Sequence, residues 1–159
     1  MILTDPAAFA AALPRSGALL GLDLGTRTVG LAVSDIRRQV ATPFETLRRR
    51  KFTLDAGAIL DLARTRAIVG LVLGLPINMD GSEGPRAQST RAFARNLRPL
   101  TDLPVTFWDE RLSTVAAERA LLEADASRAR RAQVIDAVAA GIILQGFLDR
   151  LCYMEAQDG

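Results

Sequence analysis

The sequence predicts an α/β fold in one domain, on three observations. Three strand-like segments, around Ala18 to Leu24, Thr28 to Val33 and Ala41 to Leu47, lie close enough together to pair as an antiparallel meander. Helical periodicity then alternates with continuous apolar runs of the kind found in strands buried on both faces. A length of 159 residues suffices for one proper core and is too short for two domains of ordinary size. The expectation is a single domain over residues 1–159, with a helical extension at 1–15 and a tail at 152–159.

Each element has its own local reason. Asp5 can cap a helix, Pro6 suits its first position and Pro14 cannot continue it, so Asp5 to Leu13 reads as a short helix. After the three strands and the Arg37/Arg38 turn, Arg48, Arg49, Arg50 and Lys51 form the densest basic run, either a solvated turn or a nucleic-acid contact. Leu54, Ala58, Ile59, Leu62 and Ala63 recur at helical spacing up to Arg66. Ala67 to Leu73, AIVGLVL, is the buried fourth strand. The turn-rich loop GLPINMDGSEG, Gly74 to Gly84, leads into a helix that should bury Ala87, Thr90, Ala94 and Leu97 and leave Arg91, Arg95 and Arg98 outside. Pro104 to Trp108 is the fifth strand, and Ser113 or Thr114 can cap a helix to about Glu123. A polar linker with Arg128, Arg130 and Arg131 should precede a final helix over about Ala132 to Leu151.

Composition narrows the chemistry. Apolar residues make up 49% and charged residues 24%, with a formal net charge of +2, which is globular composition. Of the 20 basic residues only Lys51 is lysine. Arginine suits bidentate phosphate contacts, although so extreme a bias equally fits the codon composition of a source genome. The single Cys152 forms no intramolecular disulfide and reads as a small buried residue on the last helix. No basic leader or long apolar run marks a signal peptide or membrane span, which fits a cytoplasmic protein. The chain has no histidine, which removes imidazole bases, Ser/His and Cys/His nucleophiles and imidazole-based zinc sites. Chemistry then rests on carboxylates and arginines, and oxygen ligands favour magnesium or manganese.

Three acids stand out. In LLGLDLGTRTVGLAVSD, Leu19 to Asp35, strand alternation puts Leu20, Leu22 and Leu24 on one face and Gly21, Asp23 and Gly25 on the other. A carboxylate in an apolar strand is costly without a cation or donor, and the flanking glycines leave room for close approach. In VIDAVAAGIIL, Val134 to Leu144, Asp136 shares a helical stripe with Ala140, Ile143 and Phe147 that should face the sheet. Small residues at Ala137, Ala139 and Ala140 let that helix lie close, near enough for Asp136 to share a cation with Asp23; a salt bridge to an arginine is the alternative. The third acid comes from the Asp109/Glu110 pair at the carboxyl end of the last strand, where ligands gather in open α/β sheets. Converging carboxylates without histidine suit two magnesium or manganese ions roughly 3.5 to 4 Å apart in phosphodiester hydrolysis. Asp35, Asp80 and Asp109 are auxiliary candidates, each also explicable as a turn or cap residue. Trp108 can either stack on a base or pack in the core.

GLDLGTRTVGLAVSD, GLPINMDGSEG, DERLST and VIDAVAAGIILQGFLD, in this order over about Leu19 to Leu148, together resemble the YqgF/RuvX family of Holliday junction resolvases and pre-16S rRNA nucleases. The first motif alone also resembles the phosphate loop of actin-like and sugar-kinase folds; the four together are specific. The resemblance implies an RNase H-like fold, with a five-stranded mixed sheet of order 3-2-1-4-5 and helices on both faces, and a RuvC-like nuclease using magnesium or manganese. By motif it carries over Asp23, Glu110 and Asp136 as the catalytic and metal-binding acids, and it alone selects Glu110 over Asp109. Arg27, Arg86 and Arg111 would hold phosphates near the metals. Gln133 stands where family members often have lysine, which leaves Arg130 or Arg131 for that phosphate contact, and the amino-terminal helix is an extra. The implied activity is cleavage of structured RNA at the 5′ region of precursor 16S rRNA. The alternatives are a resolvase of four-way DNA junctions, which needs two facing sites in a homodimer, a non-catalytic nucleic-acid-binding module, and an ATP-binding phosphotransferase.

Overall fold

The sheet grows outward from a strand buried on both faces. That strand, β1 (Ala18–Leu24), pairs antiparallel with β2 (Thr28–Ser34) and parallel with β4 (Ile68–Leu75). β3 (Ala41–Arg48) extends the sheet beyond β2 and β5 (Val105–Asp109) beyond β4, giving the expected order β3-β2-β1-β4-β5. The structure, a computed structural model, describes residues 1–115, 117, 118, 121, 124 and 128–158, with 128–134 and 158 described by their backbone alone. Among the described residues no helix is long and apolar enough to cross a membrane.

Alternation sorts the residues of β1 between two cores. Leu20, Leu22 and Leu24 pack with Leu71 and Leu73 under α2 (Phe52–Thr65) and α3 (Pro85–Leu97), through Ile59, Phe93 and Leu97. Phe93 joins the inward stripe expected for α3. Leu19 lies on the opposite side with Ile143, Leu144 and Phe147 of α4 (Arg128–Asp158). Glycines thin this second face: Gly21 abuts Leu144, Gly74 abuts Ile143, and a methyl group at Gly30 would overlap the backbone carbonyl of Asp136. The helix therefore rests almost directly on the strands, as the small-residue pattern of its sequence implies.

The amino-terminal segment is more than an extension. α1 (Pro6–Ala12) is capped by Asp5, whose carboxylate accepts the Ala7 N–H at 3.3 Å. Its Phe9 fills the space above Gly70 and meets Phe147 edge-on, ring centroids 5.4 Å apart. Upstream, Leu3 N–H donates to the Val105 carbonyl and Val105 N–H to the Met1 carbonyl, both at 2.8 Å. The first residues thereby pair with the outer edge of β5 at its first residue, Val105, whose backbone groups would otherwise be unpaired there.

Several boundaries differ from expectation. β4 runs through Gly74 to Leu75, because both residues pair with β5. Arg128, Arg130 and Arg131 lie in the backbone of α4, not in a linker, and residues 152–158 continue the same helix instead of forming a tail. No proline interrupts this stretch, and its arginine, alanine and glutamine residues are good helix formers. Gly141 and Gly146 occur where Pro43 and the Trp108 ring press against the helix. Cys152 is half-buried, less enclosed than expected. The helix expected up to Glu123 falls largely outside the described residues; at its start Glu118 N–H donates to the Thr114 carbonyl at 2.9 Å.

Candidate metal and nucleic-acid site

Asp23 is only 2% exposed, and its direct cross-strand partner is Gly30. Directly paired residues of antiparallel strands point to the same face. The backbone of Asp136 covers Gly30, so α4 delivers Asp136 beside Asp23. Asp136 is half-buried, and Thr28, the first residue of β2, donates its hydroxyl to Asp136 Oδ2. Among the described residues this hydroxyl, and not an arginine, is the hydrogen-bond partner of Asp136. The bond fixes the carboxylate's orientation at the edge of the turn between β1 and β2.

Glu110 approaches from the other side. β1 and β4 pair Leu22 with Leu73, and β4 and β5 pair Gly74 with Trp108, so Asp23, Gly74 and Trp108 form one row across the sheet. Glu110 opens the 3-10 turn Glu110–Leu112 that follows β5, lines a cleft shared with Arg86, and has its Oε2 shielded from solvent. Arg86 links the two sides, since it lies 3.9 Å from Asp23 Oδ1 and lines the same cleft as Glu110. Asp109 has the opposite parity to Trp108. It accepts Arg111 Nε at 3.1 Å and Nη2 at 2.8 Å, and also the Arg111 backbone N–H at 2.9 Å.

The Arg111 guanidinium holds the Asp109 carboxyl below its usual range. The pair's contribution to stability is complete above the ordinary carboxylate value of about 3.9 and vanishes as pH falls through the lower folded-state value. Urea midpoints of the unmodified protein and of Asp109→Asn, separated at neutral pH, should therefore converge in acid, once the pH has fallen below the ordinary carboxylate range. The other two auxiliary candidates are turn residues as well. Asp35, just past the far end of β2, accepts the Val40 and Gln39 N–H groups at 2.9 and 2.8 Å. Asp80 accepts the Ser82 N–H at 2.9 Å and the Ser82 hydroxyl at 2.6 Å.

Two open clefts meet at Arg86. One, of about 460 Å³, is lined by Pro76, Ile77, Met79, Arg86, Glu110 and Arg111. The other, of about 420 Å³, is lined by Gly25, Thr26, Arg49, Arg86 and Ser89. Arg86, in the first turn of α3, donates to the Leu24 carbonyl at 3.2 Å and lies 3.9 Å from Asp23 Oδ1. Its side chain is 43% exposed, so the charge is available to both clefts. Arg27 is exposed on the turn between β1 and β2. The side chains of Arg130 and Arg131 lie outside the described residues.

Sequence reasoning missed two residues here. Arg49 donates Nη1 to the Gly25 carbonyl at 2.7 Å and its N–H to the Arg27 carbonyl at 2.8 Å, fastening the turn beside Asp23. Its only sequence signal is membership of a basic run in which nothing distinguishes it. Thr28 has only its place next to the Gly/Thr turn. Trp108 is 8% exposed and packs edge-on against Phe147 at 6.3 Å, which makes it a core residue.

The model of the family described as "RuvX: Holliday junction resolvase" matches residues 17–150. The chain belongs to the RuvX family. Relatives carrying the name "Putative pre-16S rRNA nuclease" include one from Paracoccus denitrificans, 70% identical over 154 residues, 97% of this chain and 98% of the relative. Another, from Roseobacter denitrificans, is 67% identical over 159 residues, 99% of this chain and 98% of the relative. Among solved structures, Thermus thermophilus RuvC in complex with a Holliday junction substrate superposes with a TM-score of 0.54 over 85% of this chain and 96% of that one. At 13% identity that likeness is one of fold, and the fold is RNase H-like.

The acids of this RuvX-family chain suit a hard divalent cation. The candidate donors are carboxylate oxygens, the chain contains no imidazole, and its one thiol, Cys152, lies near the far end of α4. The Gly30 cradle admits the backbone of Asp136 at the level of Asp23. Among the described residues no three His, Cys, Asp or Glu side chains gather around one point.

Proposed function

We propose that this RuvX-family chain is a single-domain endonuclease, dependent on magnesium or manganese, that hydrolyses phosphodiester bonds of structured nucleic acid. Its proposed substrate is the 5′ region of precursor 16S rRNA, which places it in the cytoplasm. What supports this reading is that the Asp136 backbone rests on Gly30, the strand partner of Asp23, while Arg86 lies 3.9 Å from Asp23 and shares a cleft with Glu110. The name shared by the RuvX relatives supports RNA as the substrate.

Asp23, Glu110 and Asp136 would hold the metal. When bound, the ion lowers the pKa of water and stabilises charge on the leaving oxygen. Thr28 holds Asp136 in place, which reduces the reorganisation left for the moment of reaction. Glu110 comes from the single 3-10 turn Glu110–Leu112 that follows β5. Arg86 exchanges its long approach to Asp23 for the substrate phosphate, while Arg27, Arg130 and Arg131 add backbone affinity that falls with salt. Arg86→Ala should raise KM roughly tenfold and lower the salt dependence of binding by about one counterion, as read from affinity at several salt concentrations.

The deciding experiment presents precursor 16S rRNA and a four-way DNA junction side by side to the purified chain with each metal. Site-specific RNA cleavage that stops with EDTA is expected. Cleavage of neither substrate overturns the proposal. Cleavage of the junction alone would favour the resolvase reading suggested by the family description, and sedimentation should then find a homodimer.

A further inference from the structure

We infer that the cleft between the loop after β4 and the Glu110–Leu112 turn receives a single unpaired nucleobase, adjoining the phosphate that is cut. This rests on the nuclease reading and adds to it a recognition element. Its first support is Met79, 87% exposed, the most exposed large apolar side chain among the described residues. The loop that carries Met79 is a tight, internally bonded turn. Asn78 N–H donates to the Ser82 carbonyl at 2.9 Å, Gly81 N–H donates to the Asn78 carbonyl at 2.8 Å, and Gly81 takes a φ of +89° that side chains rarely adopt. The Met79 thioether, exposed beside Ile77 and Pro76, gives the cleft an apolar side suited to the face of a base.

The second support is Arg111 on the same cleft. Its guanidinium is held in orientation by the bidentate ion pair with Asp109, whose carboxylate partly offsets its charge. A compensated guanidinium is a poor phosphate clamp. It is a good flat surface, because bases stack on guanidinium planes. Arg111, expected from sequence to hold a phosphate, is thereby reassigned to the base.

Size and placement complete the argument. About 460 Å³ falls in the range of small-molecule sites, roughly 300 to 1,000 Å³, and fits one nucleoside but not a duplex. Glu110 and Arg86 line the cleft and also belong to the acid and phosphate site, so an occupant must neighbour the reacting bond. A base in a duplex has both faces stacked, so the occupant comes from a loop, a tail or a junction centre.

The test uses the full chain carrying Asp23→Asn, which blocks cleavage, and RNA hairpins with 2-aminopurine placed in turn at each unpaired position. Binding should change the fluorescence at one position. That response should shrink about fivefold or more when Met79→Ala or Arg111→Lys is added, while affinity for a fully paired duplex stays within about twofold. Arg111→Lys keeps the charge and removes the plane, which separates stacking from phosphate attraction. No position-specific response, a response undiminished in both variants, or no RNA binding at all would overturn the inference. Failure of the nuclease reading would look different: wild-type protein would leave the same hairpins intact while the fluorescence response persisted.

Discussion

Asp23→Asn should lower the cleavage rate by about three orders of magnitude or more while leaving the protein folded. The amide matches the carboxylate in size, so the packing around a residue only 2% exposed is kept. What is lost is the negative charge of the proposed metal-binding acid beside Asp136. Charge stabilisation by a catalytic ion is worth several kcal/mol, and each 1.36 kcal/mol is a factor of ten in rate. Arg86, 43% exposed, remains solvated without Asp23, so little stability depends on that contact at 3.9 Å. Single-turnover cleavage, a thermal melt and calorimetric titration with magnesium should show lost rate, a nearly unchanged midpoint and lost metal binding. Asp35→Asn, at the far end of β2, is the matched control and should cleave normally. Full activity in Asp23→Asn would remove this acid from the site and with it the proposed mechanism.

What was legible in the sequence follows from how each contact is encoded. The face of Asp23 is a period of two and the face of Asp136 a helical stripe, both readable from local spacing. The neighbours of β1 are not, since pairing β1 with β4 across more than forty residues leaves no periodic trace; the strand order came through the four motifs taken together. Asp109 is engaged by an ion pair to Arg111 that spacing alone does not force, and the preference for Glu110 rests on the family resemblance. Thr28 and Arg49 act through polar contacts between elements distant in sequence, where no local pattern announces the partner. The cap of α1 was legible, whereas the fit of Phe9 over Gly70 depends on a helix and a strand brought together only by the fold.

The second large effect is expected at a residue without chemistry. Gly30→Ala places a methyl group into the backbone carbonyl of Asp136, and no rotamer change can clear a backbone atom. α4 must move off β2, loosening Ile143, Leu144 and Phe147, which are fully buried beneath it. Overpacking of this kind costs about 3 kcal/mol, which for a chain of this size lowers the melting midpoint by roughly 6 to 12 °C. The displacement also moves Asp136 away from Asp23. At a temperature where the variant is still folded, cleavage should fall about a hundredfold, the effect of misplacing a reacting group by roughly 1 Å. Gly57→Ala supplies the opposite sign for the same chemical change. Gly57 lies inside α2 with nothing within 4 Å of an added methyl group, so alanine there should stabilise by about 0.4 to 1 kcal/mol and leave cleavage unchanged. If Gly30→Ala instead behaves like Gly57→Ala, α4 does not rest on β2 at this point, and the route by which Asp136 reaches the site is wrong.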